Sequence, residues 1–174
     1  MTVSWGRLLT WETGPLESIA SDLLEASKGL REAYESGDTA VWSVRSQGEA
    51  VTTMQATTIC NLASLDRALT NINGALMAIE GARDGVGDIL AQVNDILAEA
   101  ATKQCEIDAG GSVQPMASAP KTDLILIDAY ALAIRVKEII EYADQVDTDL
   151  YHALQDINND RYTDGDGANN KVVG

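Results

Sequence analysis

At 174 residues the chain is long enough to bury a sizeable core. Its 12 Lys and Arg against 27 Asp and Glu leave a net charge of -15. That balance excludes nucleic acid, whose phosphates need basic side chains, and disfavours an anionic membrane surface. Only 5% of the residues are aromatic, none of them Phe, within a 45% hydrophobic chain dominated by Ala, Leu and Ile. Such a composition suits an all-α fold of closely packed helices.

No stretch reaches the ~18 apolar residues of a membrane span. The start, "MTVSWGRLLTWETG", lacks the basic, apolar and small-residue regions of a general secretory signal peptide. The chain is therefore expected to stay cytoplasmic or to leave by a route that reads a folded feature.

Residues 1–13 read as an extended lead-in carrying Trp5 and Trp11. Gly14-Pro15 opens a helix, because the N–H that Pro lacks has no partner in a first turn, and Glu17 complements the helix dipole there. Leu16, Ile19, Leu23, Ala26, Leu30 and Ala33 form one apolar stripe over a helix predicted for 14–36, with Gly37 as its stop. Asp38 or Thr39 then caps a second helix, which places Trp42 in its first turn.

That second helix is predicted for 39–104. Leu65, Leu69, Ile72, Leu76, Ile79, Val86, Leu90, Val93, Leu97 and Ala100 hold one heptad register through Gly81, Gly85 and Gly87. The kept register favours a single helix, roughly 95 Å long at ~1.5 Å per residue, over a hairpin turning at the glycines. A hairpin would bring Cys60 and Cys105 within reach of a disulfide; a continuous helix would not. Residues 105–121 form a turn-rich link, in which Gly110-Gly111 between Ile107 and Val113 signals a small two-stranded excursion. The last helix, 122–158, carries a second unbroken stripe from Ile125 to Ile157, and 161–174 reads as a flexible acidic, Gly-rich tail. Together these give an elongated antiparallel helical bundle with one very long central helix.

The chemical inventory is sparse. With His152 as the one His, no nucleophile-base set has the spacing for catalysis, and Cys60, Cys105 and His152 cannot build a zinc site unaided. Asp156, Asn158 and Asp160 start a calcium-loop spacing. Arg161 and Gly167 then occupy the places that need Gly and Glu. No phosphate-binding Gly-rich loop is present. The sequence thus predicts no enzyme, no metal and no cofactor.

Trp11 to Leu16 ("W-x-x-G-P-L"), the first helix, Trp42 in the link and the later "CEIDAGGSV" before an acidic, Ala-rich helix form a pattern. It resembles the N-terminal helical targeting domains of actinobacterial type VII (ESX) secretion substrates, within the wider W-x-G superfamily. The family's turn motif here reads Trp42-Ser43-Val44, and the nearest downstream glycine is Gly48. The family's export tag, a Tyr with an acid four residues on, is matched by Tyr34 with Asp38 and by Tyr162 with Asp166. The resemblance implies a non-enzymatic interaction domain. It would bind small helical W-x-G-like partners and the secretion machinery, be exported folded, and be secreted or held at the cell envelope. Homo- or hetero-oligomerisation stays open. The alternative is a structural or adaptor coiled-coil-like protein with no secretion role.

Overall fold

The computed structural model describes residues 3–120 and 122–159. It is mostly helical: α1 (Trp5–Leu8), α2 (Gly14–Ser43), α3 (Glu49–Thr102) and α4 (Asp123–Asn158), with strands β1 (Cys105–Ile107) and β2 (Val113–Pro115) between the last two helices. The all-α class holds, and α3 is the long central helix, 54 residues without interruption at Gly81, Gly85 or Gly87. Packing divides the chain into two units. Among the described residues, one takes 3–17 together with 80–120 and 122–151; the other takes 18–79 and 152–159.

The first unit is built around a tryptophan. The lead-in is not extended throughout: Trp5 and Leu8 sit one helical turn apart on α1, so both face the same way. Both are buried, Trp5 at 1% exposure, in a cluster with Ile89, Val93 and Ile96 of α3 and Leu132, Val136 and Ile139 of α4. Trp11 packs against the edge of that cluster. Two backbone contacts fix the segment. Val3 donates its N–H to the Asp144 carboxylate at 2.6 Å, and Gly6 donates to the Ala109 carbonyl at 2.9 Å.

The expected two-stranded excursion forms as an antiparallel pair, Cys105 opposite Pro115 and Ile107 opposite Val113. Asp108 closes its tip by accepting N–H groups from Gly110 (2.8 Å) and Ser112 (2.9 Å). Gly111 lies there at φ 88°, and a Cβ on it would come within 3.1–3.4 Å of Val136, Ile140 and Trp5. The position therefore needs glycine for its backbone and for its lack of volume. Gly85 serves a similar purpose between helices, since a Cβ there would lie 2.9 Å from Val146. That close approach is why α3 carries a glycine where a break was a competing reading.

In the second unit α2 packs on the early part of α3. Ser27 donates to Asn73 Oδ1 at 3.1 Å, and Val41 and Leu62 are buried. Gly37 does not stop α2, which continues through Asp38 and Thr39 to Ser43. A Cβ at Gly37 would sit 2.9 Å from Leu62 Cδ2, so the glycine serves the approach of the two helices. The link falls instead at 44–48, and α3 starts ten residues later than the sequence suggested, after Gly48 at φ 145°. Trp42 accordingly closes α2 rather than opening α3. Cys60 is exposed, Cys105 is buried, and both are free thiols. The predicted tail, including Tyr162 and Asp166 and the end of the calcium-like spacing, lies outside the described residues.

Replacing Trp5 with Ala removes the largest buried side chain and is expected to cost about 3–5 kcal/mol. Urea unfolding followed by circular dichroism checks this: a midpoint equal to that of the parent chain would show that the segment is not part of the core.

Candidate functional site

The last three turns of α2 bring together residues that the sequence nominates singly. Tyr34, Asp38 and Trp42 follow at intervals of four and so lie along one helix edge. The Trp42 indole N–H donates to Asp38 Oδ1 at 3.0 Å, which fixes the ring's orientation while leaving the side chain 75% exposed. An indole that open on a monomer surface is unusual, because burying one is among the larger apolar gains available to a chain. Ile59, Leu62 and Asp66 of α3 complete an open cleft of about 320 Å³ against this edge. Ile59 is itself exposed, as is Met54 one turn closer to the link.

The link that follows Trp42 is positioned by its ends. Gln55 donates its side-chain amide to the Val41 carbonyl at 3.4 Å. The first turn of α3 closes on Gly48, whose carbonyl accepts the Thr52 N–H at 3.0 Å. With φ at 145°, Gly48 occupies backbone space that other residues avoid. The chain thus requires a glycine six residues after Trp42, at the start of α3, where the backbone takes a positive φ.

Trp11 does not join this group: it belongs to the first unit and lines a separate cleft with Leu16 and Val146. Leu62 and Asp66 were missed as site residues, although the three-four spacing of 55, 59, 62 and 66 on one α3 edge was available in the sequence; Ile59 is already conspicuous there as an apolar residue off the main stripe. Among the described residues no group of three or more His, Cys, Asp or Glu is placed to hold a metal ion. No helix among them is long and apolar enough to cross a membrane.

The charge arrangement that stands out lies in the first unit. Lys103, at the end of α3, pairs with Glu99 at 2.8 Å and with Asp128 of α4 at 3.0 Å, and Arg135 of α4 closes on Glu99 from the other side. Hydrogen bonding from Lys103 holds the Glu99 carboxyl below its ordinary value of 4.5, and the same contacts raise Lys103. Burial pushes the Cys105 thiol up, which makes it a poor nucleophile. These groups tie α3 to α4 beside the β1–β2 pair.

Comparisons of the chain with protein-family profiles, with curated proteins and with solved structures find no match.

Because Trp42 is so exposed, Trp42→Ala is expected to change unfolding free energy by no more than about 0.5 kcal/mol, measured by urea titration. A larger loss would place the indole inside the core. A carboxylate held below its unfolded pKa adds stability above that pKa and loses it as pH falls through the folded value. Glu99→Gln should therefore destabilise the chain at neutral pH, and the difference from the parent should close as pH drops below about 4.5. Thermal melts across that range check the sign.

Proposed function

We propose that this chain is a non-enzymatic targeting and interaction domain of a type VII secretion substrate. In this reading its helices form an antiparallel bundle that binds small helical W-x-G-like partner proteins. It is cytoplasmic before export and secreted or envelope-associated afterwards. The single observation that carries the reading is Trp42: a large apolar ring held open to solvent by Asp38, at the junction of two helices. An exposed, oriented indole offers a partner contact area at little cost in side-chain entropy. Tyr34 and Asp38 supply the Tyr-and-acid spacing of the export tag on the same helix edge, so tag and tryptophan form one composite surface. The acidic character of the chain adds to the reading. The cleft presents Asp38 and Asp66 beside Trp42, a combination suited to a partner that brings a basic side chain onto an aromatic ring.

The test is export. In an actinobacterial host with a working type VII system, Trp42→Ala and Asp38→Ala should each leave the chain helical and abundant inside the cell while the exported fraction falls to background. Normal export of the Trp42→Ala chain would remove Trp42 from the signal.

A further inference from the structure

We propose that the outer face of α4 is a self-association surface, on which a second copy of this chain packs antiparallel about a two-fold axis at Tyr130. The proposal is independent of the secretion reading and concerns a different unit of the chain.

The core of the first unit takes one stripe of α4: Ala129, Leu132, Val136, Ile139 and Ala143 are buried. At about 100° per residue, the opposite side of the helix carries Asp123, Ile127, Tyr130, Ile134 and Lys137, at intervals of four, three, four and three. This is a second heptad-like seam, and its centre is apolar. Ile127 is 64% exposed, Tyr130 71% and Ile134 44%, with Leu124 and Leu126 exposed on its two flanks. Solvated helix faces are normally polar, and an apolar patch of this size on one helix marks an interaction site.

The seam is complementary to itself. Pairing two copies antiparallel about Tyr130 sets Asp123 opposite Lys137 of the other copy, and does so twice, with the exposed Glu138 and Glu141 beside that lysine. The same operation places Ile127 beside Ile134 and stacks the two Tyr130 rings at the centre. An isologous contact requires this kind of internal symmetry of pattern. Lys137 already turns toward an acid at 3.5 Å, Glu141 on its own helix, in an exposed pair that leaves it available to a second carboxylate. The five exposed apolar side chains present on the order of 500 Å² per copy, so the pair would bury on the order of 1,000 Å², the lower bound for a specific interface. The contact is therefore expected to be reversible. The chain's overall charge of -15 opposes self-association, so the apolar centre of the seam supplies the attraction and the two Asp123–Lys137 pairs set its register.

Sedimentation equilibrium of the full chain tests this, the monomer mass being 18.5 kDa. The expected result is a concentration-dependent dimer. Tyr130→Ser should abolish it. Asp123→Lys and Lys137→Asp should each weaken it by about tenfold, while the double exchange restores it. Circular dichroism confirms that α4 stays helical in each variant. Three outcomes would overturn the proposal: a monomer at every concentration, a dimer indifferent to Tyr130→Ser, or a double exchange no better than the single ones. A monomeric chain that instead floats with phosphatidylcholine vesicles would assign the seam to lipid and overturn it equally.

Discussion

The first unit depends on one side chain occupying one gap. Its helices are rich in alanine and short of aromatics, and helices of that kind leave a space where a third element must enter. Trp5 fills it, with Leu8 one turn on. An aromatic of that size buries roughly 150–250 Å², more than any other side chain in the cluster can contribute. Around it the sequence gives way where it must. Gly111 has no Cβ to crowd Val136, Ile140 and the Cβ of Trp5, and Gly6 has none to meet the Ala109 carbonyl, 3.2 Å from where one would be. The small β1–β2 pair is thus shaped by the residue it covers. Asp144 and Ala109, from different parts of the chain, accept the backbone N–H groups that the inserted segment would otherwise bury unpaired.

Trp42 is the same residue type used the opposite way. Its one polar atom is satisfied within its own helix by Asp38, and its ring is left in water. Gly37 allows α2 to approach α3 at Leu62, so the helices beside Trp42 pack closely without drawing it in. The contrast between one indole committed to the core and one withheld from it turns a helical scaffold into a candidate recognition surface. The outer seam of α4 follows the same logic on a larger scale, with apolar residues placed where the fold does not need them.

Much of the framework was legible because helices announce themselves by period. The stripe from Leu65 to Ala100 and the one beginning at Ile125 specified two long helices, and Pro15 marked a start that the structure keeps. Ile107 and Val113 around Gly110-Gly111 specified the strand pair, because the turn chemistry there is local. The errors cluster at glycine. Gly37 looks like a stop in the sequence and is a packing position, whereas Gly48, the first glycine after Trp42, marks the break. A glycine tolerated for close approach and one required for its φ look alike in sequence, and only the neighbour, Leu62 in one case and none in the other, separates them. The short α1 was invisible for a related reason: a four-residue helix has no period, and it forms because tertiary burial of Trp5 and Leu8 selects it. In the candidate site, Trp42, Asp38 and Tyr34 were each visible as motif residues. Their union on one edge was hidden by placing the helix boundary before Trp42 instead of after it.

The central claim is that the chain's tryptophans are sorted by environment: Trp5 sealed in the core, Trp11 at its margin and Trp42 in solvent. The three indole N–H signals of a nitrogen-15-labelled sample, assigned by single Trp→Phe substitutions and titrated with a soluble paramagnetic agent, measure this directly. The account predicts that the Trp42 signal is bleached first, Trp11 later, and Trp5 last or not at all. A Trp5 signal lost as readily as that of Trp42, or a Trp42 signal protected like that of Trp5, would contradict it.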